Sequence, residues 1–259
     1  MNKVLIIAFH FPPIKISSGI QRTLKFSKYL LNHGWQAYVL SAHPRAFPSV
    51  SNDQLAEIPT EVFVKYAQAW DTAKHLAAKG RYLRWMALPD RWVSWVFAGT
   101  ISGIQIIYKY RPKIIFSTYP ISTAHLLALG LHRLTGLPWV ADFRDSMTEE
   151  DYPADLLQRK VYRWIERQAV KYSTFSVFTT PGAIRMYGDR YPNCKDKFRL
   201  IENGYDEENF INAENSGQLQ VILKAKNAGQ LVLLHSGVLY PSERDPRPFF
   251  QALAELKNL

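Results

Sequence analysis

Lys3-Val4-Leu5-Ile6-Ile7-Ala8-Phe9 is a continuous apolar run led by one lysine, and together with the loop and helix after it this run decides the fold. A short apolar run without alternation is the pattern of a strand buried on both faces. A loop with Pro12, Pro13 and Ser17-Ser18-Gly19 comes next. An amphipathic helix then carries Ile20, Leu24, Tyr29, Leu30 and Leu31 at roughly helical spacing and stops at His33-Gly34. Gln36 to Ser41 reads as a second strand. Two parallel strands joined by a helix form a right-handed crossover unit.

The alternation continues along the chain. Glu61 to Lys65, Lys113 to Ser117, Trp139 to Phe143 and Phe175 to Thr179 read as strands, and Arg199 to Glu202 ends the series before the turn signal Asn203-Gly204. Helices are expected over Ser122 to Leu134, Leu156 to Lys171 and Pro181 to Tyr187. The fold expected is α/β, a Rossmann-like doubly wound parallel sheet. Leu231 to Ser236 reads as one more buried strand, followed by Gly237 and a helix from Arg247 to about Leu256. One strand and one helix bury too little to fold alone, so they are expected to open a second domain. The division expected is residues 1–212 and 213–259.

The single cysteine, Cys194, excludes a disulfide framework and a cysteine-based zinc site, which fits a reducing cytoplasm. Val4 to Phe9 is too short an apolar stretch for a signal peptide. The net charge of +10 is unevenly placed: eight basic residues and one acid, Asp90, lie between Lys74 and Lys113. That concentration points to a polyanionic partner. Within it, Lys79, Arg81, Arg84 and Trp85 interleave basic and aromatic side chains, as at an anionic membrane surface. Trp92 to Tyr110 is read as a helix packed in the core, too short and too interrupted to span a bilayer. No recognised nucleic-acid motif accompanies the charge, so no nucleic-acid partner is expected.

In doubly wound sheets ligands sit beyond the carboxyl ends of the strands. Four stretches occupy such positions. The loop from His10 to Gly19 opens a helix with small residues, a geometry suited to phosphate at Ser18 and Gly19, and equally to a plain connection. Asp142-Phe143-Arg144-Asp145 puts two carboxylates and a guanidinium directly after an apolar strand, where they line a cleft or stiffen a loop. Ser117-Thr118-Tyr119-Pro120 also follows a strand; His125, one turn on, is read as a structural hydrogen-bond partner. Asn203-Gly204-Tyr205-Asp206 reads on its residues as a turn.

Assembled in order, these pieces resemble the amino-terminal half of a family 4 (group 1) glycosyltransferase of the GT-B fold. The likeness rests on Phe11-Pro12-Pro13, Ser17-Ser18-Gly19 with the Gln21-Arg22 helix, Gly34 to Leu40, Ala141 to Asp145, and Asn203 to Asp206 with Phe210. His235-Ser236-Gly237 through Arg244-Asp245-Pro246 resembles the start of that family's second domain. The resemblance implies a nucleotide-sugar donor held mainly by the carboxyl-terminal domain, an acceptor held mainly by the amino-terminal one, and retention of configuration without a metal or other cofactor. It places Arg244 on the donor diphosphate beside Ser18 and Gly19, while Val238 stands where a second basic residue is expected. His10, Thr118, Asp142, Arg144 and Asp145 fall on the acceptor side, and Asn203 and Asp206 between domains. The family's paired glutamates, eight positions apart, do not occur in this chain, and no catalytic base is assigned.

The function expected is transfer of a sugar from a nucleotide-sugar to a glycan or lipid-linked, membrane-associated acceptor in cell-surface polysaccharide biosynthesis. The place expected is cytoplasmic, peripheral at the inner face of the membrane. A chain lacking most of its second domain, or the subunit replacing it, is expected to be weakly active or inactive. The alternative is a non-catalytic binding half of a split enzyme, or a scaffold.

Overall fold

The computed structural model describes residues 1–15, 19–215, 228, 231–235, 239 and 245–257. They fall into two compact units, Met1–Gly204 and Tyr205–Leu259.

The first unit is built on seven parallel strands. These are β1 (Asn2–Ile7), β2 (Trp35–Ala42), β3 (Phe63–Ala67), β4 (Ile114–Thr118), β5 (Trp139–Arg144), β6 (Phe175–Phe178) and β7 (Phe198–Leu200), in the order β3-β2-β1-β4-β5-β6-β7. This is the doubly wound Rossmann-like sheet expected from the alternation of apolar runs and helices. β1 lies centrally, with Val4 opposite Ala37 on one side and Ile114 on the other. That position is why its run is unbroken: Leu5, Ile6 and Ile7 are buried whichever face they point to. The chain leaves β1 toward β2 and β3, then returns to β4, so the order reverses between β1 and β4. Reversal opens a crevice at the carboxyl ends of those two strands.

The connecting helices are α1 (Gly19–Tyr29), the short α2 (Thr72–His75), α3 (Trp95–Tyr110), α4 (Ser122–Thr135), α5 (Leu156–Tyr172) and α6 (Pro181–Arg190). Right-handed crossovers put α1 on one face of the sheet and α3, α4 and α5 on the other. α1 runs on into a 3-10 turn, Leu30–His33, which ends at Gly34 with φ 74°, a conformation glycine adopts without strain. α3 begins three residues later than the sequence suggests. The Asp90 carboxylate accepts from the Trp92 N–H at 3.1 Å and holds Trp92 to Ser94 in a turn. β3 is displaced toward Ala67 because Val62 N–H closes a turn on the Pro59 carbonyl at 3.0 Å.

Glycine sets the spacing of α3 against α4. A Cβ on Gly99 would lie 2.4 Å from Leu127 Cδ1, and one on Gly103 2.5 Å from Leu131 Cδ1. The helices therefore run side by side in the same direction at close approach. Gly103→Val is expected to overpack this contact and cost about 1–3 kcal/mol, read from urea unfolding.

The α1 face of β4 and β5 is less covered. Ile114, Phe116 and Val140 are only half-buried, and with Val4, Ile6 and Phe26 they line an apolar cavity of about 460 Å³.

The second unit contains α7 (Glu207–Asn215) and α8 (Arg247–Lys257). The strand expected at Leu231 to Ser236 is not found in its described part. Leu231 to His235 carry no ladder, and Leu231 and Leu234 are each 83% exposed. A strand is held by a neighbour's hydrogen bonds, and among the described residues no strand pairs with this one.

Candidate functional site

The crevice at the switch point is organised by one buried ion pair. Arg22 lies on the buried side of α1, and its guanidinium meets the Asp142 carboxylate in a fork, Nε to Oδ2 at 3.1 Å and Nη2 to Oδ1 at 2.9 Å. Asp142 is fully buried near the end of β5, and Oδ2 also accepts from Thr118 Oγ1 at 2.9 Å. The other Arg22 donors reach the chain after β7: the Ile201 carbonyl at 3.0 Å, the Glu202 carbonyl at 3.2 Å and Asn203 Oδ1 at 3.3 Å. Arg22 thus ties α1 to β5 and to the strand-end segment at 201–203, and Asp142 joins β4 to the same network through Thr118.

Beyond Asp142 the β5 ladder slips. The register against β6 breaks between Asp142 and Arg144, and Arg144 takes φ 51°. A bulge of this kind re-aims the side chain that follows it. Arg144 Nη1 donates to the Gly19 carbonyl at 3.3 Å, while the Arg144 carbonyl accepts from Thr179 Oγ1 at 2.6 Å. His10, just past β1, closes the same spot. A Cβ added to Gly19 would fall 2.5 Å from His10 Nδ1 and 2.9 Å from Arg144 Nη1. Glycine is therefore required where α1 begins, because an imidazole and a guanidinium both press on its backbone. Burial, and then the Arg144 charge, lower the His10 pKa to about 4, so the ring is neutral at physiological pH.

The residues singled out by sequence are thus partly brought together. His10, Gly19 and Arg144 converge, and Asp145 beside them is exposed. Thr118 and Asp142, expected on the acceptor side, are buried at 4% and 0% exposure; Thr118 donates to Asp142, which is engaged by Arg22, so Asp142 does not line an open cleft. Ser18 and Arg244 lie outside the described residues. Asn203 is fastened to Arg22, and Asp206 stands half-buried before α7. His125 is a core group: its Nδ1 lies 2.8 Å from Ser117 Oγ, which also accepts from Trp139 Nε1 at 2.8 Å. Burial lowers its pKa to about 3.

Arg22 and Asp90 escaped the sequence reading as site-building groups. Arg22 had a signal, since a cation among Ile20, Thr23 and Leu24 on the buried side of a helix needs a partner. Asp90 had less. It accepts from the Thr123 N–H and hydroxyl, both at 2.8 Å, and so caps α4 from 33 residues away.

Asp90 also borders a second cavity, of about 470 Å³, next to Pro120 and Ile121 past the end of β4. Its walls are aromatic, from Tyr82, Trp92, Tyr152 and Tyr162, and its polar groups come in pairs. Arg84 pairs with Asp155, and Arg91 makes a fork with Asp71. Arg84, expected at a membrane surface, thus lines this cavity. Lys79, Arg81 and Trp85 are exposed around the turn joining Ala78 to Arg81.

No family model matches the chain, and no curated protein matches it. Solved structures do. Sucrose-phosphate synthase from Thermosynechococcus elongatus is 12% identical at TM-score 0.57, covering 80% of this chain and 49% of that one. Apo UGT2 of Phytolacca americana is 10% identical at TM-score 0.56, covering 83% and 55%. Anabaena Alr3699/HepE in complex with UDP is 11% identical at TM-score 0.53, covering 88% and 51%. The likeness is one of fold. The chain spans about half the length of these structures. Among its described residues, no helix is long and apolar enough to cross a membrane.

Proposed function

We propose that this chain is the acceptor-side part of a nucleotide-sugar-dependent glycosyltransferase of the GT-B fold. The observation that carries this reading is the convergence of His10 and Arg144 on the Gly19 backbone at the switch point of the sheet. A helix start with a guanidinium beside it favours the charge that develops on a departing diphosphate. The similar folds support the donor class, since one is solved with UDP and Phytolacca americana UGT2 is also solved with UDP-2fluoro-glucose and pterostilbene.

On this reading, donor phosphates approach Ser18 and Gly19, with Arg244 completing their neutralisation as the family resemblance implies. Arg144 and Asp145 face the acceptor. The aromatic cavity takes an acceptor sugar, whose apolar ring face lies on tyrosine or tryptophan while its hydroxyls meet paired guanidinium and carboxylate groups. The family 4 resemblance supplies the finer assignment: retention of configuration, a glycan or lipid-linked acceptor, and a place in cell-surface polysaccharide biosynthesis.

Titration calorimetry with UDP and UDP-glucose, then GDP and GDP-mannose, tests the donor side. Gly19→Ala is expected to weaken nucleotide binding by about tenfold or more, because the added methyl displaces His10 and Arg144. Unchanged affinity in Gly19→Ala would remove this turn from the donor site. The anomer of any product, read by NMR, decides retention.

A further inference from the structure

We infer that the outward face of α3, continued by the end of α4, is the surface on which this protein rests against an anionic lipid bilayer. The inference rests on the reading of a membrane-associated acceptor, and it assigns the contact to a part of the molecule that the sequence places in the core. Phe97, Ile101 and Tyr108 are 78%, 62% and 65% exposed. They stand at i, i+4 and i+11, on one side of a helix whose other side, Trp95, Gly99, Gly103 and Ile106, is packed. The stripe is therefore held rigidly outward. Leu134 of α4, 67% exposed, extends it, because α4 lies alongside α3 in the same direction.

Along the chain through α3 and α4 the charge has one sign. No Asp or Glu occurs anywhere from Arg91 to Ala141. The cations gather at the carboxyl end of α3, where the Arg111 guanidinium sits 5.8 Å from the centre of the Tyr108 ring and Lys109 and Lys113 are exposed. An apolar strip with cations at its carboxyl end, on a stretch of chain without acids, matches a surface of acyl chains beneath anionic headgroups. With 16 residues, α3 lies on a bilayer and does not span one.

Sedimentation with vesicles of phosphatidylcholine alone, or of phosphatidylcholine mixed with phosphatidylglycerol, tests this. Wild-type protein should bind the mixed vesicles and lose binding as salt is added. Phe97→Gln/Ile101→Gln should reduce that binding at least tenfold with an unchanged melting temperature, and Lys79→Gln/Arg81→Gln should reduce it less. As a second readout, Ile101→Cys in a Cys194→Ser background, labelled with an environment-sensitive fluorophore, should shift to the blue on mixed vesicles only. If the lysine–arginine variant loses binding and the stripe variant keeps it, the contact is the Lys79 turn; the membrane reading then stands and this inference falls. If wild-type protein binds no vesicle, both fall. Self-association that the stripe variant abolishes, without vesicle binding, would make the face a contact between copies and overturn the inference.

Discussion

Arg22→Ala is expected to cost about 3–5 kcal/mol, because it leaves the Asp142 carboxylate buried without its cation. The loss exceeds that of an ordinary surface ion pair for a geometric reason. Asp142 is fully buried, and Thr118 is its other side-chain hydrogen-bond donor. The same truncation frees the 201–203 segment, whose carbonyls Arg22 collects. Urea unfolding should therefore show a lower midpoint, and hydrogen exchange should show faster opening at Ile201 to Asn203. Arg22→Lys restores charge without the fork, so it should recover only part of the loss. The paired substitution Arg22→Met/Asp142→Asn should be milder than Arg22→Ala, since no unpaired charge remains. A change below about 1 kcal/mol in Arg22→Ala would mean that water reaches Asp142 and that the pair is not a structural tie.

Stability is expected to fall by several kcal/mol as pH drops from 6.5 toward 3, beginning well above the range of carboxylate titration. The cause is two buried imidazoles. His10 has a folded pKa of about 4 and His125 of about 3, against an ordinary 6.5. Above pH 6.5 both are neutral folded or unfolded, and their contribution is complete. Below it the unfolded chain takes up protons that the folded chain refuses, so unfolding gains about 1.4 kcal/mol per pH unit for each group. The gain stops at about 4 for His10 and about 3 for His125. His43 is also lowered, by burial and then by Arg45, but it is only half-buried and contributes less. Unfolding free energies measured at pH 7.5, 6.5, 5.5 and 5 should show the slope, and His10→Gln should flatten part of it. A level profile between pH 7 and 5 would show that both rings protonate freely in the folded state.

The elements were largely legible in the sequence, because their signals are local. β1 is an apolar run, Gly34 stops a helix, and Pro181 follows a strand and begins another helix; each is a preference of a few neighbouring residues. The alternation of strands and helices with right-handed crossovers made the class of fold readable before any contact was known. The carboxyl ends of β1 and β5 were readable as candidate ligand positions for the same reason.

The hidden part depends on which distant residues meet. Arg22 and Asp142 are 120 residues apart, and nothing near either names the other. Their meeting makes Asp142 a support, while Arg144, two residues on, is turned toward Gly19 by a bulge. Leu231 to His235 shows the reverse case, an apolar run that composition makes a strand but that, among the described residues, has no ladder partner and is left exposed. α3 marks the same boundary. Its sequence is apolar almost all round, which by itself reads as a core helix, and only the packing of α4 on one side decides that Phe97, Ile101 and Tyr108 face outward. Sequence determined which segments form strands and helices, since that is settled within a turn or a pleat. The tertiary structure decided which of their faces are covered, because burial belongs to pairs of surfaces that the chain brings together from far apart.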